Sequence, residues 1–146
     1  MIVQIITRTH SSIADVCEAY EKQGIEISWW AQDLIQKVHI DDISESKRIK
    51  IISGRELGFV DKGLNTDIYK KALSSGMKII TAESSLILGC SGIKIDDRIM
   101  SGMEPIQLTD GDPMIFTHWN KKLSTSFALP DQMVWDSQIK WAFELS

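Results

Sequence analysis

The first third of the chain shows a strand pattern followed by a helical pattern. Residues 1–7, MIVQIIT, are rich in β-branched side chains, which favours a strand. In residues 11–24 the apolar side chains recur every three or four positions, Ser11 or Ser12 can cap the start, and Gly24 can end the segment. These signals predict a strand and then an amphipathic helix.

Similar signals recur as far as residue 89. Two helices are predicted where a polar cap, Asn65 or Thr81, precedes an apolar stripe, and another is predicted from the spacing of apolar residues alone. A β-branched run over 47–53 predicts a second strand. In chain order, these three further helices are expected over 25–39, 65–76 and 81–89.

Beyond Ile93 the apolar residues follow the period of a strand. Alternation predicts strands over 98–106, 113–119 and 139–145, and an Asp-Gly pair between the first two favours a hairpin. The segment 124–138 has no clear period, so it is expected to be a long irregular connection.

The strand over 113–119 has apolar residues on both faces, which predicts a central strand covered on two sides. Asn120 and Lys121 are well placed for the turn that follows it. His118 is the polar end of its row, and we expect it to stay hydrated close to that turn. The two rows are Met114, Phe116 and His118 on one face, and Ile115, Thr117 and Trp119 on the other.

The order of these elements predicts the fold class. Helices gather in the N-terminal two thirds and strands in the last third, so we expect an α+β fold in which the helices pack on a mainly antiparallel C-terminal sheet. A chain of 146 residues is most simply one domain over 1–146, and no internal repeat or flexible linker divides it.

Composition and charge narrow the functional classes. Sixteen Lys and Arg against twenty Asp and Glu give a net charge of −4, which disfavours nucleic acid as a partner. No segment has the apolar length of a membrane span and no leader pattern precedes the first strand, so we expect a cytoplasmic protein without a membrane partner. Cys17 and Cys90 lack any close spacing and are expected to be reduced thiols.

No motif in the sequence predicts a catalytic residue, a metal site or a cofactor. The histidines and cysteines lack the spacing of zinc ligands, and the glycines match neither a P-loop nor a dinucleotide fingerprint. Asp110 and Asp112 resemble the start of a calcium loop, but the remaining ligand positions are missing, so the pair is interpreted as a turn.

Tryptophan is the least ordinary feature of the composition, with five in the chain. Trp119, Trp135 and Trp141 lie close together in sequence and can form either a packed core or a partly exposed groove. The first hypothesis is a non-enzymatic binding domain. It would take a protein partner or a small ligand in an aromatic-lined groove, with His118 and Glu104 as polar edges.

Two other hypotheses remain open. The chain can be a small hydrolase that uses His118 with a carboxylate such as Glu104, which requires the two groups to meet in a cleft. It can also be a homo-oligomeric structural protein, for example a homodimer, that covers an exposed sheet edge or aromatic face.

Several short motifs also resemble a group of uncharacterised bacterial proteins. The resemblance runs from Arg55 to the C-terminus, and it implies a small self-contained bacterial domain but no reaction. A fainter similarity links 71–88 to the tail of C-type-lectin-like domains, whose disulfide cysteines and calcium motif are missing here, so it implies no sugar binding. The motifs of the bacterial group are ELGF at 56–59, IYxxA at 68–72, AE at 82–83, GMEPI at 102–106 and WxF at 141–143.

Overall fold

The computed structural model describes residues 2–7, 12–40, 46–129 and 131–145. Within these ranges the chain forms four helices and eleven strands. The helices are α1 (Ile13–Lys22), α2 (Trp29–Ile35), α3 (Asn65–Ser74) and α4 (Ala82–Gly89). The strands are β1 (Ile2–Thr7), β2 (Glu26–Ile27), β3 (Ser46–Ser53), β4 (Lys62–Leu64), β5 (Met77–Lys78), β6 (Ile99–Ser101), β7 (Ile106–Gln107), β8 (Pro113–Trp119), β9 (Lys122–Phe127), β10 (Val134–Asp136) and β11 (Lys140–Leu145).

Nine of these strands form one mixed sheet. Its order is β1-β3-β11-β6-β8-β9-β2, with β5 paired to β11 and β7 paired to β8. The β11–β6 and β2–β9 pairs are parallel, and the other pairs in this sheet are antiparallel. Strands β4 and β10 form a separate antiparallel pair.

The mixed α and β composition predicted from the sequence is confirmed, but a purely C-terminal sheet is wrong. Strands β1 and β3 come from the first 53 residues, pair with each other, and join the C-terminal strand β11 through β3. Strands from both ends of the chain therefore share one sheet, because each needs a neighbour to satisfy its backbone hydrogen bonds.

Helices lie on both faces of the sheet. Ser101 of β6 is paired with Ala142 of β11, so these two side chains point to the same face of the sheet. Successive residues of a strand point to opposite faces, so Trp141 points to the other face. On the Ser101 side, the Ser85 Oγ of α4 lies 2.6 Å from the Ser101 Oγ. On the other side, the ring centroid of Tyr69 in α3 lies 5.9 Å from that of Trp141. The middle of the sheet, at β6 and β11, thus lies between α4 and α3.

The helix starts test the predicted caps. Ser12 accepts a hydrogen bond from the Asp15 backbone N–H at 3.2 Å, and Thr81 caps α4 through the Ser84 N–H at 3.0 Å. Both caps were predicted, whereas Ser11 lies outside the described residues. Asn65 as the cap of α3 is wrong: Leu64 holds the cap position, and buried Asn65 accepts a hydrogen bond from the Trp135 indole N–H at 2.9 Å. The Asn65 amide therefore bonds to Trp135, which is distant in the chain, instead of capping its own helix.

Two predicted segments are wrong for local reasons. The expected helix over 25–39 is divided into β2 and α2, because Ser28 starts a new helix by accepting from the Ala31 N–H. The expected irregular segment 124–138 contains most of β9 and the whole of β10. Asn120 and Lys121 make the two-residue turn into β9 with φ angles of 51° and 56°, without the glycine that marks most such turns.

Strand β8 is central, as its pattern predicted. It pairs with β6 and β7 on one side and with β9 on the other, and every side chain from Met114 to His118 is buried. No helix in the described ranges has both the length and the apolar character that crossing a membrane requires.

Helix α4 approaches β8 very closely at its last residue, Gly89. The Tyr20 hydroxyl of α1 donates a hydrogen bond to the Leu86 carbonyl at 2.6 Å, which places it against the end of α4. A Cβ on Gly89 would overlap the Tyr20 Oη and would lie 2.7 Å from His118 Nδ1 and Cε1. This position therefore has no room for a side chain.

We expect Gly89→Ala to lower the free energy of unfolding. Alanine is the better helix former by about 1 kcal/mol, but overpacking at a buried contact costs about 1–3 kcal/mol, and here two groups must move. Tyr20→Phe removes the hydroxyl that overlaps the new methyl group. Urea unfolding of both single variants and the double variant should therefore show Gly89→Ala costing less when Tyr20→Phe is already present, and equal costs with and without Tyr20→Phe would contradict the proposed contact.

Candidate ligand-binding recess

The three C-terminal tryptophans do not form one groove. Trp141 is wholly buried, and its ring centroid lies 5.9 Å from that of half-buried Trp135. Trp119 is 48% exposed at the end of β8. The predicted groove over all three indoles is therefore wrong, because Trp141 points into the layer between the sheet and α3.

The Trp135–Trp141 pair belongs to an aromatic core. Tyr69 contacts Trp141 edge to face and donates a hydrogen bond to the Met103 carbonyl at 2.7 Å. The Trp141 indole N–H is buried and has no hydrogen-bond partner among the described residues. The geometry of this cluster is that of packing, and Trp119 has no ring contact with it in the described residues.

His118 is buried rather than hydrated. Its side chain is 3% exposed, and its Nε2 lies 3.0 Å from the Ser85 Oγ, which in turn lies 2.6 Å from the Ser101 Oγ. Burial lowers the pKa of His118 to about 4, although a hydrogen bond with the Ser85 backbone acts in the opposite direction. The expectation of a hydrated ring is wrong because α4 covers this face of β8 before the turn begins.

Glu104 lies elsewhere on the molecule. Its side chain is exposed and makes no hydrogen bond or ion pair with a described residue. It lines a hollow of about 320 Å³ with Ile79, Thr81 and Ile106, and His118 is not part of that hollow. The pair of His118 and Glu104 that the hydrolase hypothesis requires is therefore not formed.

A recess of about 300 Å³ lies at the end of β8, where Trp119 and His118 both contribute to its lining. Strand alternation points these two side chains to opposite faces, and both reach the recess because the sheet ends at the 120–121 turn. Much of the wall is apolar, formed by the partly buried side chains of Ile25, Ile93 and Ile95. The volume is at the lower end of the range for ligand sites, about 300–1,000 Å³.

Positive charge is concentrated around this recess. Lys94, Lys121 and Lys122 line it against a single acid, Asp96, which lies 3.8 Å from the Lys94 ammonium. Lys121 and Lys122 form no ion pair with a described residue. The Arg98 guanidinium lies 5.4 Å from the Trp119 ring centroid and adds a further charge nearby. A chain of net charge −4 thus offers a locally basic site.

Three segments that are distant in sequence build the recess. They are the end of α1 with its loop at 23–25, the connection that follows α4 at 89–96, and the turn at 118–122. Trp119 and His118 were predicted as site residues, but the isoleucines and lysines were not. The adjacent lysines at 121–122 are a sequence signal for the basic patch. No sequence pattern near Ile25 or Ile93 indicates that both line the same recess.

The described part of the chain holds no cluster suited to metal binding. No three His, Cys, Asp or Glu side chains gather there as a metal ion would require. Cys17 and Cys90 are both free thiols, and burial raises the pKa of Cys90 to about 11, so this thiol stays protonated at neutral pH.

No protein-family model, curated protein or solved structure matches this chain. The resemblance to short bacterial proteins stays a prediction, and the geometry of the recess alone directs the functional argument.

The buried ring of His118 should make stability depend on pH. Its pKa falls from 6.5 in the unfolded chain to about 4 in the folded one, so the unfolded state binds a proton first as the pH falls. Above pH 6.5 the ring is neutral in both states, and between 6.5 and 4 the fold should lose about 3 kcal/mol from this group.

Urea unfolding from pH 7 to pH 5 tests this expectation. His118→Gln should be less stable at neutral pH but should lose less stability on acidification, because its side chain does not titrate. The matched control is His39→Gln, which removes an exposed imidazole, and the His118 effect is the change in slope that this control does not share. If His118→Gln and the wild type had the same slope, His118 would be accessible to protons in the folded state.

Proposed function

We propose that this protein is a non-enzymatic binding domain that takes a small ligand in the recess beside Trp119. The observation that carries the proposal is a concave site with isoleucines in its wall and a half-exposed tryptophan in its lining. Tryptophan is enriched where proteins bind partners, because its large ring contributes contact area at little entropic cost. Trp141, which serves packing, is by contrast wholly buried.

The surroundings of His118 support binding over catalysis. Ser85 and His118 are in hydrogen-bond reach, as a nucleophile and its base would be. Ser85 is wholly buried, however, and no carboxylate of a described residue bonds to the ring. A buried hydroxyl that already bonds to Ser101 cannot reach a substrate carbonyl. We therefore assign His118 to the floor of the site rather than to a reaction.

The setting we propose is the cytoplasm of a bacterium. Two free thiols, Cys17 and Cys90, support a reducing compartment. The bacterial origin rests on the resemblance of the ELGF, GMEPI and WxF motifs and forms part of the proposal.

Binding of naphthalene probes tests the proposed function. Naphthoate, naphthamide and naphthylmethylammonium share one ring system and differ in charge, and saturation-transfer NMR with the full chain measures each affinity. We expect at least one probe to bind, and Trp119→Ala to weaken it about tenfold, which corresponds to about 1.4 kcal/mol.

Trp30→Ala is the matched control, because Trp30 is 47% exposed but lies on α2 and not in the recess lining. It should leave each affinity within about twofold, a change of about 0.4 kcal/mol. Absence of binding by all three probes, or equal losses in the two variants, would rule out a ligand site beside Trp119.

A second candidate function is self-association through β1. This strand lies at the end of the sheet order, and its exposed face carries Val3 and Ile5. Edge strands usually carry charges or prolines that prevent pairing with another chain, and Ile2–Thr7 has neither. Two copies could therefore pair through their β1 edges and bury these apolar side chains.

Sedimentation velocity tests the second candidate. At about 10–100 μM the wild type should sediment as a dimer, and Ile5→Lys should shift it to a monomer because the added charge opposes strand pairing. Val60→Lys adds the same charge at another exposed apolar residue, outside the sheet, and should remain dimeric. A monomeric wild type in this range would remove the candidate.

A further inference from the structure

Lys121 has a backbone conformation that lysine rarely adopts. Its φ is 56° in the two-residue turn between β8 and β9, and Asn120 before it has a φ of 51°. Elsewhere in the described ranges every residue with a positive φ is a glycine. Asparagine tolerates this left-handed region, whereas lysine is strained there, and hairpin turns of this kind favour the pair Asn-Gly. Glycine is therefore the residue expected at position 121.

The fold does not need the lysine side chain at this position. The Lys121 carbonyl accepts a hydrogen bond from the Glu26 N–H at 2.9 Å, which ties the turn to β2. A glycine would make the same backbone bond at the same φ without strain. The Lys121 side chain is exposed and forms no ion pair or hydrogen bond with a described residue. What the lysine adds is a positive charge in the lining of the recess, and strain of this kind is concentrated at functional sites.

Arg98 places a second cation beside the recess. Its guanidinium lies 5.4 Å from the centroid of the Trp119 ring, within cation–π range. The side chain is exposed and forms no ion pair with a described residue. Asp96 and Asp97, which precede it, each pair with a lysine, at 3.8 Å and 2.8 Å. The N–H groups of Arg98 are therefore available to an anionic oxygen, for which a guanidinium offers a planar pair of donors.

We propose that the Lys121 side chain serves ligand binding, and that its ammonium and the Arg98 guanidinium hold the anionic group of a small acid whose apolar body lies against Trp119. This inference rests on the proposed function and specifies its ligand class. The strained turn is then a loss of stability that the fold bears in exchange for a charge at the recess. Lys122 is not needed for this contact, because it has an acid, Glu26, as its neighbour in the β2–β9 pair.

Two substitutions at position 121 separate the strain from the charge. Lys121→Gly removes both and should raise the urea midpoint of unfolding, because the relief of left-handed strain exceeds the freedom that glycine adds to the unfolded chain. Lys121→Gln removes the charge alone and should leave the midpoint near that of the wild type. Both should weaken naphthoate about tenfold and naphthamide less than about twofold. Equal midpoints for the two variants, or an unchanged naphthoate affinity in either, would overturn the inference.

Two control variants test for indirect effects. Asn120→Gly alters the same turn but keeps the charge, and Lys70→Gln removes an exposed lysine on α3, outside the recess lining. Each should leave the naphthoate affinity within about twofold. A loss in Asn120→Gly equal to that in Lys121→Gln would assign the effect to the shape of the turn, and an equal loss in Lys70→Gln would assign it to overall charge. Either result would overturn the contact with Lys121.

Arg98→Gln tests the second cation. It should weaken naphthoate about fivefold and naphthamide less than about twofold, and Arg98→Lys should recover part of the loss because it restores the charge without the planar fork. Arg55→Gln is the matched control, since Arg55 is exposed and lies outside the recess lining. Equal losses in Arg98→Gln and Arg55→Gln would remove Arg98 from the site.

The three probes separate this inference from the proposed function. Naphthoate should bind at least about tenfold more tightly than naphthamide, and naphthylmethylammonium should bind most weakly. If naphthamide or the ammonium probe bound as tightly as naphthoate, with the Trp119→Ala loss intact, the recess would be a ligand site and the acid would be the wrong class. If no probe bound, the proposed function itself would fail, and this inference with it.

Discussion

The hydrogen bonds from Ser101 through Ser85 to His118 connect three elements across the interior. Ser101 lies on β6 and His118 on β8, two paired strands, and Ser85 reaches them from α4 above the sheet. Each buried hydroxyl must find a partner, so this chain of hydrogen bonds restricts both the rotation and the height of α4. The close approach of Gly89 to His118 follows from that placement, and so does the path of residues 92–96, which form one wall of the recess.

The opposite face of the sheet is held by a different interaction. Trp141 lies on β11, between β3 and β6, and packs edge to face against Tyr69 and Trp135. His118 is the last residue of β8 that pairs with β6. Trp119 follows it and therefore has no partner on β6. These two tryptophans lie on strands that β6 separates in the sheet, and they have different roles, because one lies within the sheet and the other at its end.

The elements that could be predicted from sequence are those with complete local signals. The alternation of β8 identified a central strand, and the Ser12 and Thr81 caps marked two helix starts, because each signal lies within a few residues of its partner. Strand β9 was missed although its turn at 120–121 was predicted, because the polar residues at 124–126 show no alternation with apolar ones. The recess was missed because its walls come from segments far apart in the chain, a separation over which local periodicity gives no information.

His118 shows where local reasoning fails for a physical reason. Leaving a histidine hydrated at a strand end costs little free energy, but this fold buries His118 together with the hydroxyls of Ser85 and Ser101. Three apolar side chains could fill the same space without needing hydrogen-bond partners. Such a network costs stability unless every member is satisfied, and here the hydroxyls of Ser101 and Ser85 and the Nε2 of His118 lie in hydrogen-bond reach of one another. The network holds α4 against β8, and residues 92–96, which follow α4 in the chain, form part of the recess wall. The buried network is therefore a structural support for one wall of the recess.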